Sequence, residues 1–308
     1  MKALVTGGAG FIGSHLTKAL VTKGYDVRVL DNLSTGSREN LEGVSVELIE
    51  GDIADWEVVK TAVSGCALVF HEAALVSVPK SIEEPALNHA SNVTGTFHVF
   101  EAARLANVRR VVYATSAAVY GDLPGLPKRE TDPLQMKTPY AMAKRTSELL
   151  AMTYNSSYGM ELVGLRYMNV YGPRQDPSSP YSGVLSIFCR NVLADKPLFV
   201  YGDGEQTRDF VYVADVVQAN ILAATVDLSG LDCSPIFNVG NGKQTSLNQI
   251  IDILSEINGQ PIEKSYGPAR AGDIKHSVGD INRAQQHLNF HPATTLLDGL
   301  KATFEWFR

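Results

Sequence analysis

The sequence predicts an α/β protein, with a doubly wound parallel sheet followed by a smaller C-terminal α/β domain. Three observations predict this class. Apolar, β-branched runs alternate with helical patterns in the first half, a glycine turn follows the first run, and loops rich in glycine and proline begin near residue 170. Continuous apolar strands separated by helices are typical of parallel sheets that are buried on both faces.

The strand and helix patterns can be placed along the chain. We predict strands at Ala3–Thr6, Val27–Leu30, Val46–Ile49, Leu68–Phe70, Val111–Ala114 and Leu162–Leu165. We predict helices between them, for example at Phe11–Lys23, Asn88–Ala106 and Pro139–Ser157. Residues 1–170 are expected to form the sheet domain. Residues 171–308 are expected to form mainly the smaller domain over the carboxyl ends of the strands, with a boundary soft enough for segments to cross back.

Composition and charge argue against several classes of protein. The 308 residues are 44% hydrophobic and 19% charged, as in a globular chain, and the net charge of −6 disfavours a general nucleic-acid binder. Cys66, Cys189 and Cys233 lie far apart, which matches neither a disulfide framework nor a zinc site. We expect no metal, and a cytoplasmic protein. A strand that starts at Lys2 and the lack of a long apolar stretch predict neither a signal peptide nor a membrane span.

A glycine turn follows the first predicted strand. Gly7, Gly10 and Gly13 form the spacing GxxGxxG between this strand and the first helix. Glycine permits the tight turn and lets the backbone approach a pyrophosphate, and the helix N-terminus offers free N–H groups. In this context the turn predicts a dinucleotide-binding site.

Acidic residues follow the second and third predicted strands. Asp31 lies 18 residues beyond Gly13, close to the spacing of about 20 expected for an acid that binds a ribose. A carboxylate there would repel a 2′-phosphate, which favours NAD over NADP; a solvated loop aspartate is the alternative. Asp52 and Ile53 are candidates to bond and pack against the adenine. His71 follows the fourth strand, and we give it no catalytic role.

A candidate chemical site lies on the fifth predicted strand and the last predicted helix of the sheet domain. Tyr140 and Lys144 stand four residues apart on one face of a helix that Thr138 and Pro139 would start. A nearby ammonium lowers a tyrosine pKa, so Tyr140 could act as a general base. Ser116 ends the preceding strand, at the edge where ligands bind, and could donate to the oxygen that loses its proton; a turn serine is the alternative.

Several longer motifs carry a resemblance to a known family. They are Thr6–Gly13, Asp31–Gly36, Gly51–Ile53, Asn92–Thr96, Arg166–Pro173, Gly202–Phe210 and Arg270–Asp273. With these motifs the chain resembles the extended short-chain dehydrogenase/reductase family, specifically its nucleotide-sugar epimerases, over essentially its whole length. The resemblance implies a Rossmann sheet, bound NAD, a UDP-sugar substrate and a homodimer formed through helices such as 88–106 and 139–157.

The resemblance also implies roles for particular residues. The catalytic residues would be Ser116, Tyr140 and Lys144. The cofactor would be held by Gly7, Gly10, Phe11, Ile12, Gly13, Asp31, Asn32, Ser34, Gly36, Asp52, Ile53, Ala73, Ala74, Asn92, Tyr140, Lys144 and Tyr167. The substrate would be held by Ser77, Ser116, Tyr140, Asn169, Tyr201, Arg208, Arg270, Asp273 and Ser277. Of these, Asn169, Arg208 and Arg270 would hold the diphosphate, Asp273 the uridine ribose and Tyr201 the uracil.

The residues after Ser116 bear on the reaction. Ala117 and Ala118 carry no carboxyl, whereas relatives that dehydrate or decarboxylate sugars usually place an acid there. We therefore expect reversible oxidation at C4, hence 4-epimerisation of UDP-hexoses. A UDP-glucuronate 4-epimerase or decarboxylase, and a non-catalytic NAD-binding regulator, remain as alternatives. By the resemblance, the small Ser277 and the loop Arg174–Tyr181 also predict space for a 2-acetamido group.

Overall fold

A central sheet with helices on both faces organises the molecule. The computed structural model describes residues 1–176, 183–231, 235–269 and 274–308. Its strands are β1 Lys2–Thr6, β2 Asp26–Asp31, β3 Glu47–Glu50, β4 Leu68–His71, β5 Arg110–Ser116, β6 Leu162–Tyr167, β7 Asn169–Tyr171, β8 Leu198–Tyr201, β9 Thr207–Arg208, β10 Phe210–Tyr212, β11 Ile236–Val239, β12 Thr245–Ser246 and β13 Lys264–Gly267. Its helices are α1 Phe11–Thr22, α2 Trp56–Val63, α3 Val78–Glu83, α4 Pro85–His89, α5 Gly95–Leu105, α6 Pro139–Tyr158, α7 Val184–Leu193, α8 Val213–Thr225, α9 Leu247–Asn258, α10 Asn282–Leu288 and α11 Leu296–Phe307.

The central sheet is parallel throughout, in the order β3-β2-β1-β4-β5-β6-β11. The predicted doubly wound parallel fold is confirmed. The strand order reverses direction between β1 and β4, and in such sheets ligands bind at the carboxyl ends of the strands beside that reversal. Thr6 and His71 end these two strands side by side, so they mark the switch point.

The second half of the chain returns to this sheet. Helix α8 packs against α1 and against β5 and β6, and β11 pairs in parallel with β6 from Gly164 to Tyr167. The remaining strands form two-stranded pairs, β7 with β10, β8 with β13 and β9 with β12. The boundary near residue 170 stays a prediction. The return of α8 and β11 is the crossing back that the soft boundary allowed.

Hydrophobic packing accounts for these layers. Two apolar clusters cover the two faces of the sheet, one including Val5 and Phe237 and the other Leu4 and Phe100. A third joins α7, α9 and α11 around Phe304. Within the described ranges, no helix combines the length and apolarity needed to cross a membrane.

The helix predicted at Asn88–Ala106 differs from the helix in the structure. Helical structure begins earlier, at α4, because Pro85 suits a first helical turn, and it passes through a π-helical turn at Ala90–Thr94 before α5. The side chain of Asn92, inside this turn, bonds both the N–H and the C=O of Leu75, at 2.8 and 2.9 Å. The wider turn therefore fixes the loop that follows β4.

Candidate active site

A cavity of about 540 Å³ opens at the carboxyl end of the sheet, and elements of the second half of the chain close its other side. Ten of the residues predicted from the sequence line it. They are Phe11, Ile12, Ala74, Ser116, Tyr140, Lys144, Tyr167, Asn169, Tyr201 and Arg208. The structure thus brings the predicted chemical residues together with part of each predicted binding set.

Ser116 and Tyr140 face each other in the cavity wall. Ser116 ends β5, and its hydroxyl accepts the N–H of Ala118 at 3.2 Å and forms a hydrogen bond with Tyr140. Burial raises the pKa of Tyr140, and the bond from Ser116 opposes this rise. We expected the lysine to lower this pKa. In the structure the desolvation of the buried phenolate sets the direction of the shift.

Lys144 lies one helical turn beyond Tyr140, as the spacing predicts. Its ammonium is 5.9 Å from the centre of the Tyr140 ring and donates to the carbonyl of Ala114 at 3.0 Å. Burial lowers the pKa of Lys144 to about 8, while the charge of Glu72 raises it. The amine is thus turned toward β5.

A buried ion pair fixes the helix that carries both residues. Thr138 caps α6 through the N–H of Ala141, and Pro139 takes the first helical position, as predicted. Further along α6, Glu148 accepts two hydrogen bonds from Arg166 of β6, both at 2.8 Å, and one from Thr115 of β5 at 2.9 Å. These bonds hold α6 in a fixed register on the two strands beside the cavity.

The sequence analysis missed Glu72 as a site residue. Its carboxylate lines the cavity and accepts a hydrogen bond from the Tyr167 hydroxyl at 2.7 Å. Burial raises the pKa of Glu72 to about 7, although the Tyr167 bond and the Lys144 charge lower it. Its position directly after β4, at the ligand-binding edge, was the signal that could have found it.

The glycine turn has the geometry that a pyrophosphate requires. Gly7 has a φ of +68°, and a Cβ on it would lie 2.7 Å from the backbone nitrogen of Ala73. A Cβ on Gly13 would lie 2.0 Å from the carbonyl oxygen of Gly7, so helix and turn touch closely. Gly10 is the N-cap residue of α1 and has no side chain to cap the helix. The N–H groups of the first helical turn are therefore available to a ligand. This cradle fits a dinucleotide phosphate.

Asp31 and its neighbours form the edge of the same site. The Asp31 carboxylate accepts the N–H groups of Ala9 and Leu33, at 2.8 and 2.9 Å, and its remaining lone pairs fit ribose hydroxyls. Asn32 donates to Asp52 at 2.8 Å, and Ser34 donates to Asn32 at 2.7 Å. The predicted residues of this strip are therefore joined into one hydrogen-bonded edge.

Other predicted cofactor residues lie behind this edge. Gly36 packs on the backbone of Ala9, since a Cβ there would come within 2.8 Å of the Ala9 carbonyl carbon. Ile53 is buried against Gly95. His71 is bonded to Thr6 at 2.8 Å and to Thr96 at 3.0 Å, and burial lowers its pKa to about 3. His71 is a structural residue, consistent with the lack of a catalytic role.

The predicted substrate residues reach the cavity from several elements. The N–H of Asn169 donates to the carbonyl of Asp209 at 2.9 Å. Arg208 donates to the carbonyls of Thr207 and Lys275, at 2.9 and 3.4 Å, and lines the cavity. Tyr201 is 41% exposed at the cavity wall, so its ring is accessible to a flat ligand.

Some predicted substrate residues are not brought into the cavity. In the described ranges, Ser77 and Ser277 are not among its lining residues. The Ser77 hydroxyl caps α3 by accepting the N–H of Lys80 at 3.1 Å, and this bond directs it to the helix. Ser277 is half-buried, and its N–H donates to Thr207 at 3.1 Å. Arg270, Asp273 and the loop 177–182 lie outside the described residues.

Metal ligation finds no support in the described residues. Within residues 1–176, 183–231, 235–269 and 274–308, no three His, Cys, Asp or Glu side chains are grouped so that they could hold a metal ion.

Known proteins are similar to this chain in sequence and in fold. The profile of the NAD-dependent epimerase/dehydratase family matches residues 3–240. The UDP-glucose 4-epimerase of Mycolicibacterium smegmatis is 38% identical over 314 residues, which cover 100% of this chain and 99% of the relative. The crystal structure of UDP-glucose 4-epimerase from Thermotoga maritima with UDP-glucose has a TM-score of 0.94 at 38% identity, covering 100% of this chain and 98% of that one.

A third similar protein binds a different sugar. The UDP-N-acetylglucosamine 4-epimerase from Methanobrevibacter ruminantium, solved with UDP-N-acetylmuramic acid, has a TM-score of 0.93 at 37% identity, covering 99% of this chain and 97% of that one. The family match confirms the expected cofactor, NAD, and the geometry of the glycine turn fits it. The chain belongs to the NAD-dependent epimerase/dehydratase family.

Proposed function

We propose that this protein interconverts UDP-hexoses at C4, both UDP-glucose with UDP-galactose and UDP-N-acetylglucosamine with UDP-N-acetylgalactosamine. The observation that carries the proposal is the convergence of Ser116, Tyr140 and Lys144 on one wall of the cavity. A paired hydroxyl and phenol beside an ammonium is suited to removing a proton from a sugar hydroxyl.

Tyr140 is the general base of this proposal. As a phenolate it takes the proton from the sugar O4, while the hydroxyl of Ser116 donates a hydrogen bond to that oxygen. When bound, NAD+ supplies the acceptor for the C4 hydride and a positive charge that offsets the raised pKa of the buried Tyr140. Lys144 adds a second positive charge on the same wall. Tyr140 returns the proton to O4 after the 4-keto sugar has turned.

The substrate side of the cavity anchors the UDP group during that turn. Arg208 lines the cavity, and with Arg270 it would neutralise the diphosphate, which an acidic chain of net charge −6 has to do locally. Asn169 would donate to the same group, and Tyr201 would stack on the uracil. Asp273 would bond the uridine ribose. Because the UDP group stays fixed while the 4-keto sugar turns, the hydride can return to the opposite face of C4.

Glu72 gives a specific reason to keep a second candidate reaction. Elimination of water, or decarboxylation, uses an acid near the sugar, and Ala117 and Ala118 supply none after Ser116. The Glu72 carboxyl does line the cavity, from the end of β4. Incubation with UDP-glucose and UDP-glucuronate, followed by mass spectrometry, separates the reactions, because only epimerisation leaves the mass unchanged.

The proposed tolerance of acetamido sugars comes from the resemblance and concerns Ser277, which lies beside the cavity and not in its described lining. Its N–H bond to Thr207 places it beside Arg208, and its side chain is small. An N-acetyl arm needs volume near C2 of the sugar, which a phenol ring at this position would fill.

The test compares kcat/KM for the two sugar pairs in three proteins. Wild type should convert both pairs. Ser277→Tyr should lose the acetamido pair by about tenfold or more while keeping the plain hexoses, as a steric exclusion does. Ser277→Ala, the control for loss of the hydroxyl alone, should keep both. A wild type that ignores acetamido sugars, or a tyrosine variant that still turns them over, contradicts the gatekeeper role.

The homodimer remains a prediction with some support. Apolar side chains are exposed on neighbouring helices, including Phe97 and Leu105 of α5 and Met142, Leu149 and Met152 of α6. Exposed apolar side chains on neighbouring helices are found at interfaces between subunits. Sedimentation equilibrium of the wild type and of Leu149→Glu tests it, with a monomeric wild type as the contradicting result.

A further inference from the structure

Ser116 lies between two residues that are bonded to the same ion pair. Thr115 precedes it on β5, and the Thr115 hydroxyl donates to Glu148 at 2.9 Å. Tyr120 follows it at the end of the short helical turn after β5, and the Tyr120 hydroxyl accepts a hydrogen bond from Arg166 at 2.9 Å. Arg166 donates twice to Glu148, both times at 2.8 Å. The segment that carries Ser116 is therefore attached to one ion pair on both of its sides.

The bonds around the Tyr120 hydroxyl are shielded from water. Tyr120 and Arg166 are each 2% exposed, and Glu148 is fully buried. The Tyr120 hydroxyl also donates to the amide oxygen of Asn238 on β11, at 2.7 Å, and the guanidinium of Arg166 lies 4.9 Å from the centre of the Tyr120 ring. The hydroxyl thus gives its one proton to β11 and accepts from β6, so two directional bonds fix its position.

The same ion pair belongs to the helix that carries the proposed general base. Glu148 lies on α6, about two helical turns beyond Tyr140. The hydroxyl of Ser116, which precedes the turn after β5, is hydrogen-bonded to Tyr140. A closed ring of contacts therefore runs from Ser116 through Tyr120, Arg166 and Glu148 back to Tyr140. The buried side of this ring sets where the turn after β5 sits relative to α6.

We propose that Tyr120 is a positioning residue for Ser116: its hydroxyl fixes the turn after β5 on the ion pair of Glu148 and Arg166 and thereby holds the Ser116 hydroxyl at Tyr140. The effect on turnover rests on the proposed function, whereas the hold on the turn does not. A tyrosine that only stabilised the fold would make a different prediction, because the loss of its hydroxyl would then act on turnover independently of Ser116.

Tyr120→Phe is the test variant, because it removes the hydroxyl and keeps the ring. It leaves polar groups of Arg166 and Asn238 buried without this partner, so the melting temperature should fall, and all measurements are made well below it. Tyr113→Phe is the matched control. Tyr113 is a buried tyrosine on the same strand as Ser116, and among the described residues its hydroxyl has no hydrogen-bond partner. This control should match wild type in exchange and in turnover.

Hydrogen–deuterium exchange of the NAD-loaded protein, read by mass spectrometry, tests the hold on the turn. The N–H of Ala118 donates to the Ser116 hydroxyl at 3.2 Å, and the N–H of Gly121 donates to the Ala118 carbonyl at 3.3 Å. In Tyr120→Phe, peptides that contain residues 117–121 should exchange about fivefold faster or more, while peptides of the glycine turn keep the wild-type rate. An unchanged rate in 117–121, or an acceleration no larger than in the glycine turn, overturns the proposal.

The kinetic measurement is a double-mutant cycle with Ser116→Ala, using whichever UDP-sugar the protein converts. Tyr120→Phe should lower kcat about tenfold with an unchanged KM, because a displaced Ser116 hydroxyl misaligns the proton transfer. In the Ser116→Ala background the same substitution should change kcat by less than about twofold, since the group that it positions is already gone. An equal loss in both backgrounds, or no loss in wild type, overturns the proposal. If no UDP-sugar is converted, the proposed function fails, and the exchange of 117–121 still decides whether Tyr120 holds the turn.

Discussion

The predicted cofactor edge and the predicted substrate wall are built differently. The cofactor edge is formed by two contiguous segments, Gly7–Gly13 and Asp31–Gly36, in which backbone groups approach one another closely or bond to the Asp31 carboxylate. The substrate wall is assembled from positions far apart in the chain. Arg208 bonds the carbonyl of Lys275, and Asn169 bonds that of Asp209.

This difference indicates how the cofactor edge and the substrate wall differ in the way they would bind their ligands. A cofactor common to a family can be held by main-chain geometry, which tolerates little change. A variable sugar is better recognised by side chains on separate loops, each of which can change without disturbing the turn. Tyr140 and Lys144 stand between the cofactor edge and the substrate wall. Their helix, α6, is fixed to the sheet by the bonds between Glu148 and Arg166.

The largest expected effect separates chemistry from cofactor binding. Tyr140→Phe removes the general base but leaves the glycine turn intact, so kcat should fall by about a hundredfold or more. Bound NAD, measured by mass spectrometry of the denatured supernatant, should stay near the wild-type content and should not be NADP. Near-normal turnover in this variant would remove Tyr140 from the mechanism.

A substitution in the glycine turn tests the role of the cofactor edge. A Cβ at position 13 would meet the Gly7 carbonyl oxygen at 2.0 Å, so Gly13→Ala should displace the turn and lower NAD affinity by about tenfold or more. Gly24→Ala is the matched control, because its φ of +83° is also strained but its Cβ meets no atom within 4 Å. It should lower the melting temperature only. Equal NAD content in the two variants would contradict the cradle.

A change in the substrate wall should have the reverse signature. Arg208→Gln removes the positive charge beside the diphosphate, so KM for the UDP-sugar should rise by about tenfold. Bound NAD should not change, since Arg208 lies on the other wall. Arg308→Gln, an exposed arginine at the far end of the chain, is the control for net charge. A fall in NAD content with an unchanged KM would overturn the division between the halves.

The smallest expected effect is the pH dependence of turnover. Burial lowers the pKa of Lys144 to about 8, and the ammonium form is the one that supports a phenolate. As pH rises through this value the charge is lost, so kcat should fall by about half at pH 8 and further above it. Lys144→Arg stays charged and should show no such limb, at a lower absolute rate. An alkaline limit near an ordinary lysine pKa would contradict the role of burial.

Much of the cofactor edge could be predicted because its signals are local. A strand, a glycine turn and a helix are contiguous, and Thr138-Pro139 starts α6 by rules that involve a few neighbouring residues. Strand ends were harder, since β2 and β4 run one residue and β5 two residues beyond the predicted ends, to Asp31, His71 and Ser116. Pairing with the neighbouring strands, which the local pattern does not contain, accounts for those extensions.

Other features needed contacts between distant segments. Glu72 is held in the cavity wall by Tyr167, 95 residues away, and β11 joins the sheet through β6. The predicted direction of the Tyr140 pKa shift was wrong because burial, which depends on the surrounding packing, raises this pKa.

The sequence by itself determined the α/β class, the glycine turn, the acid at the end of β2 and the register of Tyr140 and Lys144 on one helix. These follow from hydrophobic period, backbone freedom and helical spacing, which act over a few residues. The tertiary structure decided which side chains share the cavity, how far each is desolvated and which charges act on one another. Burial and through-space electrostatics depend on distances that the order of residues does not contain.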